Sequence, residues 1–473
     1  MNIVWFRQDL RLKDNPALVE AAKAGDILPV YILDDINAGN DKMGAASRVW
    51  LHHALANLNQ ALQGHLHLFV GDAVAVLQQL CADHVVDAIY WNRAYEPWRI
   101  SRDKLIKQAL TDQGVAVKSM NGSLLWEPWQ ALKKDGTPYK VFTPFYRRGC
   151  LSGPVTPRTP LAEPETLSFA SINTPVKMLD QLTLLPTIQW HQSIEQHWTM
   201  SEQGAEDALV TFLEQGAPHY KEGRDFPAKA TTSRLSPYLH FGQISPHQIW
   251  QQSLNREQTH HLDAFQSELG WREFSYSLLY HFPDLPRQNL QAKFDRFPWQ
   301  SGGEKLTAWQ QGNTGYPIVD AGMRELWQTG FMHNRVRMIV GSFLVKNLLL
   351  HWQQGEAWFW DCLVDADLAS NSASWQWIAG CGADAAPYFR VFNPVTQGEK
   401  FDKAGVYTRR FVPELADLPD KYLHQPWASP EDILKQSGVI LGDTYPKPIV
   451  DLKTSREQAL AAFKTLKLIA EQS

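Results

Sequence analysis

The sequence predicts an α/β domain with a doubly wound parallel sheet, followed by an all-helical domain. The chain has 473 residues, and a chain of that length usually needs more than one hydrophobic core. Short β-branched runs alternate with helical stretches at the beginning of the chain, whereas helical periodicity dominates from Glu202 onward. This change of pattern predicts the two kinds of domain in that order.

The strands of the first domain are predicted from short runs rich in β-branched and aromatic residues. They lie at Ile3–Phe6, Leu28–Leu33, Leu66–Val70, Val86–Trp91 and Val115–Met120. Apolar residues at three- and four-residue spacing predict helices between them, at Ala46–Gln63, Ala73–Cys81 and Pro97–Gln113. Such alternation indicates right-handed crossovers and a ligand site beyond the carboxyl ends of the strands. No G-x-G-x-x-G motif follows the first strand, so a Rossmann dinucleotide site is not predicted.

An extended connector is predicted between the two domains, because prolines interrupt every long helical pattern there. These prolines are Pro154, Pro157, Pro160, Pro164, Pro175 and Pro186. The predicted boundaries are 1–125 for the α/β domain, 126–200 for the connector and 201–473 for the helical domain. The helices expected in the last domain are Ala205–Glu214, Pro246–Leu254, Leu262–Tyr280, Ile318–Thr329, Met332–Leu350, Glu356–Leu363 and Ser455–Ala470.

Several function classes are disfavoured by composition. No apolar run approaches the roughly 20 residues of a membrane-spanning helix, and the N-terminal residues lack the pattern of a signal peptide. The cysteines are scattered, without a C-x-x-C pair or a His/Cys cluster, which suits a reducing cytoplasm and predicts neither disulfides nor a metal site. We expect a cytoplasmic, monomeric protein with no membrane association and no obligate protein partner.

Charge and tryptophan content leave two questions open. The net charge of −5 does not advertise nucleic-acid binding, but binding depends on where the basic groups lie rather than on their sum. The 19 tryptophans are several times the usual number for such a chain. Most of them are expected in the core, and some of them to stack on an aromatic ligand or to carry electrons.

Two segments of the helical domain combine residue types that are unusual for a core. Asn334, Arg337 and Met338 share one face of a predicted helix, although a helix edge with a solvated arginine pair is the simpler interpretation. The segment Asp365–Trp377 packs two carboxylates, an amide and two indoles together, without the His or Cys spacing of a metal site. A buried carboxylate there needs a partner, and Arg337 is the obvious candidate.

Two further segments allow either a structural or a functional interpretation. Glu268 and Trp271 share one helix face, either in a surface ion-pair ladder or as a carboxyl group and an aromatic plate at the same cavity. The hydroxyls and backbone N–H groups of Thr232–Ser236 are suited to hold phosphate, although Ser/Thr-rich loops are common.

Taken in order, these segments resemble the photolyase/cryptochrome family, and most closely its bacterial cyclobutane-dimer photolyases. The resemblance spans nearly the whole chain. It is carried by Ile3–Arg11, Thr232–Ser236, Trp271–Glu273, Gly315–Asp320, Met332–Arg335, Trp375–Trp377, Asn393–Pro394 and Gln397–Gly398.

The resemblance implies that the helical domain binds FAD. Asn371 matches the residue that faces flavin N5, and Arg337 with Asp365 matches the ion pair beside it. An asparagine can offer N5 a donor or an acceptor, and Arg337 can stabilise the reduced anionic flavin that the reaction needs. The matching cofactor positions are Tyr220, Thr232, Ser233, Arg234, Leu235, Ser236, Asp365, Ala366, Asp367 and Asn371.

The resemblance also implies light-dependent repair of cyclobutane pyrimidine dimers in UV-damaged DNA. The lesion is flipped out of the duplex and receives one electron from excited reduced FAD. Glu268 matches the residue that hydrogen-bonds the lesion carbonyl. The other matching lesion positions are Trp271, Asn334, Met338 and Trp377, and a chain of indoles at Trp375, Trp352 and Trp299 matches the one that reduces the flavin.

DNA contacts and the antenna chromophore are specified less closely. Arg224, Arg335, Arg390 and Lys400, with Gln397 nearby, are expected to touch phosphates, which positions a duplex without reading its sequence. Folate-binding members carry an Asn-Glu pair where this chain has Trp98 and Arg99. Folate (methenyltetrahydrofolate) is still the first expectation, while flavin, deazaflavin or no antenna stay open.

Three other functions are weighed against repair of this lesion. Plant cryptochromes, which are light receptors, have Asp where this chain has Asn371, and many carry a long tail. Enzymes that repair the (6-4) photoproduct resemble one another in having His at the positions of Asn334 and Met338, where acid–base chemistry is required. A nicotinamide-dependent flavin oxidoreductase lacks its binding pattern here. The cryptochrome-type receptor is the main alternative.

Overall fold

The computed structural model describes residues 1–385 and 389–471. The chain divides into two compact units, and neither unit is a single continuous stretch. The first unit comprises Met1–Pro218, Ser233–Pro283 and Val364–Ser370, and the second comprises His219–Thr232, Asp284–Leu363 and Asn371–Ser473.

The first unit contains the predicted parallel sheet. Its strands are β1 (Asn2–Phe6), β2 (Ile27–Leu33), β3 (His67–Val70), β4 (Ala88–Asn92) and β5 (Ala116–Met120). The sheet order is β3-β2-β1-β4-β5, and every neighbouring pair is parallel. All residues of β1, β2 and β4 are buried, as expected of a sheet that is covered on both faces. The prediction of a doubly wound parallel sheet is confirmed.

Helices cover this sheet, and one of them was not predicted. They are α1 (Pro16–Ala24), α2 (Ala45–Ala61), α3 (Ala73–Asp83) and α4 (Pro97–Asp112). The unpredicted helix α1 has ordinary start signals, because the Asn15 side chain accepts the N–H of Leu18 and a proline occupies the first position. The core contains Trp5, Leu28, Leu77, Trp91 and Ile106.

The rest of the chain is helical, apart from its connecting segments. The helices of eight or more residues are α5 (Glu202–Thr211), α6 (Pro246–Leu254), α7 (His260–His281), α8 (Gly303–Gln310), α9 (Pro317–Thr329), α10 (Asn334–Ser342), α11 (Trp352–Cys362), α12 (Leu368–Ala379), α13 (Pro394–Phe401) and α14 (Leu452–Glu471). Between residues 121 and 200 the longest helical segment is a π-helical turn at Phe145–Leu151.

The single helix predicted over Met332–Leu350 is wrong at both ends. His333 caps α10 by accepting the N–H of Arg335, so the helix begins at Asn334. The α-helix ends at Ser342, and a π-helical turn follows at Phe343–Asn347. Leu349 then adopts a left-handed backbone with φ of 55°, a conformation that does not continue a helix. Among the described residues, no helix is long and apolar enough to span a membrane.

Candidate active site

The predicted site residues are divided between the two units. The first unit contains Ser233, Arg234, Leu235, Ser236, Glu268, Trp271, Asp365, Ala366 and Asp367. The second contains Tyr220, Arg224, Thr232, Trp299, Asn334, Arg335, Arg337, Met338, Trp352, Asn371, Trp375, Trp377, Arg390, Gln397 and Lys400. The predicted ion pair between Arg337 and Asp365 therefore joins residues of different units and stays a prediction.

The loop around Ser236 meets the first carboxylate of the Asp365–Asp367 segment. The Ser236 hydroxyl donates to Oδ2 of Asp365 over 2.6 Å. Arg234 holds a left-handed backbone with φ of 52°, and its guanidinium lies 4.3 Å from the centre of the Trp198 ring. The turn leaves Ser236 exposed while Leu235 is buried. It thus presents a hydroxyl and a carboxylate side by side, which suits a polyhydroxylated ligand.

The second carboxylate, Asp367, is held by two hydrogen bonds. Its Oδ1 accepts the N–H of Ser370 over 2.7 Å in the first turn of α12, and its Oδ2 accepts the hydroxyl of Tyr276. Burial raises the pKa of Tyr276 well above its usual value, and the charge of Asp367 raises it further. Tyr276 therefore stays a protonated donor at neutral pH and fixes the carboxylate, while Ala366 between the two acids is buried.

Helix α7 presents the predicted lesion-contacting pair. Glu268 and Trp271 are both half-buried, and they lie three positions apart, which places them on the same side of the helix. Trp271 stacks on Phe142 with ring centres 3.8 Å apart and an interplanar angle of 11°. The indole is therefore held as a plate, which suits packing against a flat ligand.

Glu273, in the same motif, supports the fold rather than a ligand. It is buried and accepts the backbone N–H of Trp126 over 3.1 Å. The Arg272 guanidinium donates to its other oxygen over 3.0 Å. Burial raises the pKa of Glu273 to about 7 against the opposing effect of Arg272. The Trp-Arg-Glu motif thus combines a ligand plate with an anchor for the segment around Trp126.

In the second unit, Asn371 is fixed by the helix that precedes it along the chain. Its Nδ2 group donates to the backbone carbonyl oxygen of Glu356 over 3.1 Å. The next residue, Ser372, donates its hydroxyl to the Glu356 carboxylate. Asn371 is buried, the bond to Glu356 orients its amide, and the carbonyl oxygen Oδ1 can accept a hydrogen from a ligand.

The three predicted electron-carrying tryptophans differ in environment. Trp375 and Trp352 are buried, while Trp299 is partly exposed. Trp299 and Trp352 both neighbour the His351 ring, with centres 5.0 Å and 5.5 Å away. Trp375 packs against Phe359 at 5.0 Å. The structure therefore groups Trp299 with Trp352, and the step from Trp352 to Trp375 stays a prediction.

Helix α10 carries the other lesion and DNA candidates at its start. Asn334 is exposed, and Arg337 and Met338 are half-buried. The Arg335 guanidinium pairs with Asp225 over 2.7 Å and lies 4.5 Å from the Phe401 ring centre. The Arg337 Nε–H donates to the Met332 carbonyl oxygen over 2.7 Å. A carboxylate and an aromatic ring thus hold the Arg335 guanidinium, and a DNA phosphate could replace that carboxylate.

The remaining candidates of the second unit lie mostly at its surface. Arg390 and Lys400 are exposed, and Gln397 is half-buried on α13. The Arg224 guanidinium lies 5.3 Å from the centre of the buried Tyr220 ring. Trp377 donates its indole N–H to the carbonyl oxygen of Asp384 over 3.1 Å.

Sequence reasoning missed three residues that position this site. Tyr276 holds Asp367, the Glu356 carbonyl holds Asn371, and Gly355 makes room for Trp375, because a Cβ at Gly355 would lie 2.1 Å from that ring. Tyr276 had no local signal, because the carboxylate that it holds is distant along the chain. The other two act through backbone positions, which no side-chain pattern indicates.

A partly open cavity lies at the carboxyl edge of the sheet in the first unit. It is lined by the ends of β1 and β2 and by Trp98 and Arg99 of α4. The Arg99 and Arg102 guanidiniums lie 4.7 Å and 4.9 Å from the Trp98 ring centre. Trp98 and Arg99, the residues that depart from the folate-binding pattern, therefore contribute an indole and a cation to one cavity.

Sequence models of two protein families match most of the chain. The family described as DNA photolyase matches residues 2–165, and the FAD binding domain of DNA photolyase matches residues 265–465. The deoxyribodipyrimidine photo-lyase of Agrobacterium fabrum is 49% identical over 98% of both chains. The chain belongs to the photolyase/cryptochrome family. Its helical portion is accordingly an FAD-binding domain, and the predictions of family, fold class and enzyme class are confirmed.

Relatives within the family include both repair enzymes and light receptors. A bacterial class III photolyase from Agrobacterium tumefaciens has a structure with a TM-score of 0.94 and 48% identity, covering 98% of this chain and 97% of that one. Cryptochrome-1 of Arabidopsis thaliana is 37% identical over 98% of this chain and 70% of its own length. Family membership alone therefore does not distinguish repair from signalling, and the residues of the site must decide between them.

Proposed function

We propose that this protein repairs cyclobutane pyrimidine dimers in DNA by light-driven electron transfer, with FAD as its cofactor. The observation that carries the proposal is the fixed amide of Asn371. One hydrogen bond from its N–H₂ group to the Glu356 carbonyl orients the amide, and its oxygen can accept a hydrogen, as the N–H of a reduced flavin requires. An aspartate would add a titratable charge at that atom.

The polar groups that the sequence match assigns to the cofactor suit it chemically. Ser236 and Asp365 offer a hydroxyl and a carboxylate to the ribityl and phosphate portion, with Thr232, Ser233 and Tyr220 beside them in the sequence match. When bound, reduced FAD would supply the electron that opens the lesion under blue light and would take it back afterwards. Arg337 contributes a permanent positive charge, which favours the anionic reduced form in a medium of low dielectric constant.

Glu268 and Trp271 bind the lesion in this proposal. The plate formed by Trp271 on Phe142 suits one face of the flipped bases, and the sequence match assigns Trp377, Asn334 and Met338 to the lesion as well. Glu268 holds a hydrogen bond to a thymine carbonyl oxygen, and sharing its proton there stabilises negative charge on the lesion. Neither Asn334 nor Met338 is a histidine, which disfavours repair of the (6-4) photoproduct.

Damaged DNA is the proposed partner, held through its phosphates by Arg224, Arg335, Arg390 and Lys400, with Gln397 beside them. Such contacts orient a duplex without reading its sequence, as a repair enzyme requires. Electrons that reduce the flavin enter through Trp299 and Trp352 and reach Trp375. The increase in burial from Trp299 to the other two supports this direction.

A second chromophore is proposed for the cavity at the carboxyl edge of the sheet. Trp98 offers an aromatic face, and the Arg99 and Arg102 guanidiniums lie against it while paired with Glu96 and with Asp34 and Asp103. A planar aromatic pigment such as a folate can stack on this indole. The light that it absorbs passes to FAD as excitation energy. The absorption spectrum of the chromophores released from the purified protein identifies the second pigment.

The deciding experiment illuminates the purified, reduced protein with an oligonucleotide that contains one thymine dimer. We expect recovery of normal thymines under blue light and no recovery in the dark. Reduced protein that keeps its flavin and restores no bases would instead favour a cryptochrome-type light receptor, the alternative that the similarity to plant cryptochromes supports. The matched variant Asn371→Asp tests the role of the fixed amide in the same assay.

A further inference from the structure

Lys346 is a buried cation for which the proposed reaction has no use. It lies in the π-helical turn that follows α10, and its side chain is only 6% exposed. Among the described residues no carboxylate pairs with it. Its ammonium donates to the backbone carbonyl oxygen of Arg390 over 2.5 Å and lies 4.8 Å from the centre of the Phe389 ring. A leucine or methionine would fill such a site without the cost of desolvating a charge.

The cost of burying this charge is reflected in the pKa of the Lys346 ammonium. Burial, with the charge of Arg390 in second place, lowers the pKa of Lys346 to about 7. Buried groups with strongly shifted pKa values are more frequent at functional sites than elsewhere. The contacts of Lys346 indicate which function this is, because both of them are made to one short segment of chain.

This segment, residues 389–392, is attached at three points. Besides the bond from Lys346 to the Arg390 carbonyl, the N–H of Phe392 donates to the Ser342 hydroxyl over 3.2 Å. The Phe389 ring stacks on Phe463 with centres 4.7 Å apart and an interplanar angle of 11°. The backbone of Arg390 is therefore fixed, whereas its side chain is exposed.

Helix α10, which leads into the π-helical turn of Lys346, also contacts the far end of the segment that is proposed to bind DNA. Asn393 caps α13 by accepting the N–H groups of Val395 and Thr396. At the other end of α13, the Phe401 ring packs under the Arg335 guanidinium of α10. Helix α10 with its π-helical turn thus meets both the start and the end of the stretch that carries Arg390, Gln397 and Lys400.

We propose that Lys346 is a positioning residue for DNA binding, which fixes the backbone at Arg390 so that this side chain is presented to a phosphate. The inference rests on the proposed function, in which Arg390 touches DNA. The π-helical turn supplies the geometry, because its extra residue per turn rotates Lys346 off the regular α-helical face.

The test is a double-mutant cycle measured by binding to an oligonucleotide that contains a thymine dimer. We expect Lys346→Met to weaken binding about tenfold, the size of one lost charge-assisted contact, with flavin content unchanged. Arg390→Gln should weaken binding to a similar degree. The double variant should bind no more weakly than either single variant, because Lys346 acts through Arg390.

Two controls separate this role from others. Lys453→Met removes an exposed charge of the second unit and should leave binding unchanged. Lys346→Met combined with Arg224→Gln should give multiplied effects, because Arg224 lies in another segment. Multiplied effects of Lys346→Met and Arg390→Gln would overturn the inference, and so would wild-type binding by Lys346→Met. A normal affinity of Arg390→Gln alone would instead remove Arg390 from the proposed function.

Discussion

At the scale of single residues, the proposed site combines groups assigned to contact a ligand with groups that hold them. Roles for Glu268, Trp271 and Asn371 could be proposed from the sequence. Those of Tyr276 and Glu356 could not, because each of the two acts on a residue at least fifteen positions away along the chain. Tyr276 reaches Asp367, and the Glu356 carbonyl reaches Asn371. Long-range contacts of this kind leave no local pattern in a sequence.

Replacing Glu268 tests the lesion contact. We expect Glu268→Gln to lower the repair yield per absorbed photon by about tenfold, since the amide keeps a hydrogen bond to the lesion carbonyl but has no acidic proton to share with it in the step that competes with electron return. FAD content should not change. The matched control is Glu257→Gln, an exposed carboxylate of the first unit. A yield equal to that of the wild type would remove Glu268 from its assigned role.

Replacing Trp352 tests the entry of electrons. The Trp352 indole is fully buried and donates to Oδ1 of Asn289 over 2.8 Å. Trp352→Phe removes the oxidisable indole and keeps an aromatic filler, so we expect photoreduction of oxidised flavin to slow by at least tenfold. Repair by chemically reduced protein should persist. Trp327→Phe, at a position that is 53% exposed, is the control. Unaltered photoreduction kinetics in Trp352→Phe would argue against this path.

At the scale of elements, periodicity predicted where helices lie better than where they end. The helix predicted from Met332 ends at Ser342 because the chain changes to a π-helical turn and then to the left-handed Leu349. A sequence pattern of apolar residues continues through such a turn without interruption. Helix α1 was missed although its capping residues Asn15 and Pro16 are clear, because the helix is short.

The cap of α10 predicts a pH dependence. Nδ1 of His333 accepts the N–H of Arg335 over 3.2 Å, and burial lowers the pKa of His333 to about 4. The unfolded chain takes up a proton near pH 6.5, before the folded chain does. Stability from the neutral ring is therefore complete above pH 6.5 and is lost as the pH falls to 4, by about 3 kcal/mol.

His333→Asn keeps a capping acceptor without a titrating ring. We expect its free energy of unfolding, measured in urea, to fall less than that of the wild type between pH 6.5 and pH 4. The exposed His219→Asn variant should follow the wild-type curve. Parallel curves for His333→Asn and the wild type would mean that His333 is protonated with little cost in the folded state.

At the scale of the whole molecule, the order of domain types was predictable because the two periodicities differ. A parallel sheet buried on both faces needs continuous apolar strands, and β1, β2 and β4 provide them. The second chromophore proposed for the first domain was not predictable to the same depth. Trp98 and Arg99 depart from the folate pattern, and only the fold brings them together with Arg102 around one cavity.

Net charge gives the last prediction, because a chain with a charge of −5 must bind DNA through a local basic surface. If Arg224, Arg335, Arg390 and Lys400 neutralise one phosphate each, the logarithm of the affinity should fall with the logarithm of the salt concentration with a slope of about −4. Lys400→Met should reduce that slope by about one and weaken damaged and undamaged duplexes alike, whereas Lys453→Met should change neither. Since Arg335 is paired with Asp225 over 2.7 Å, Asp225→Asn should raise affinity by freeing that guanidinium. A slope near zero would contradict a phosphate-based interface, and an unchanged slope in Lys400→Met would place Lys400 outside it.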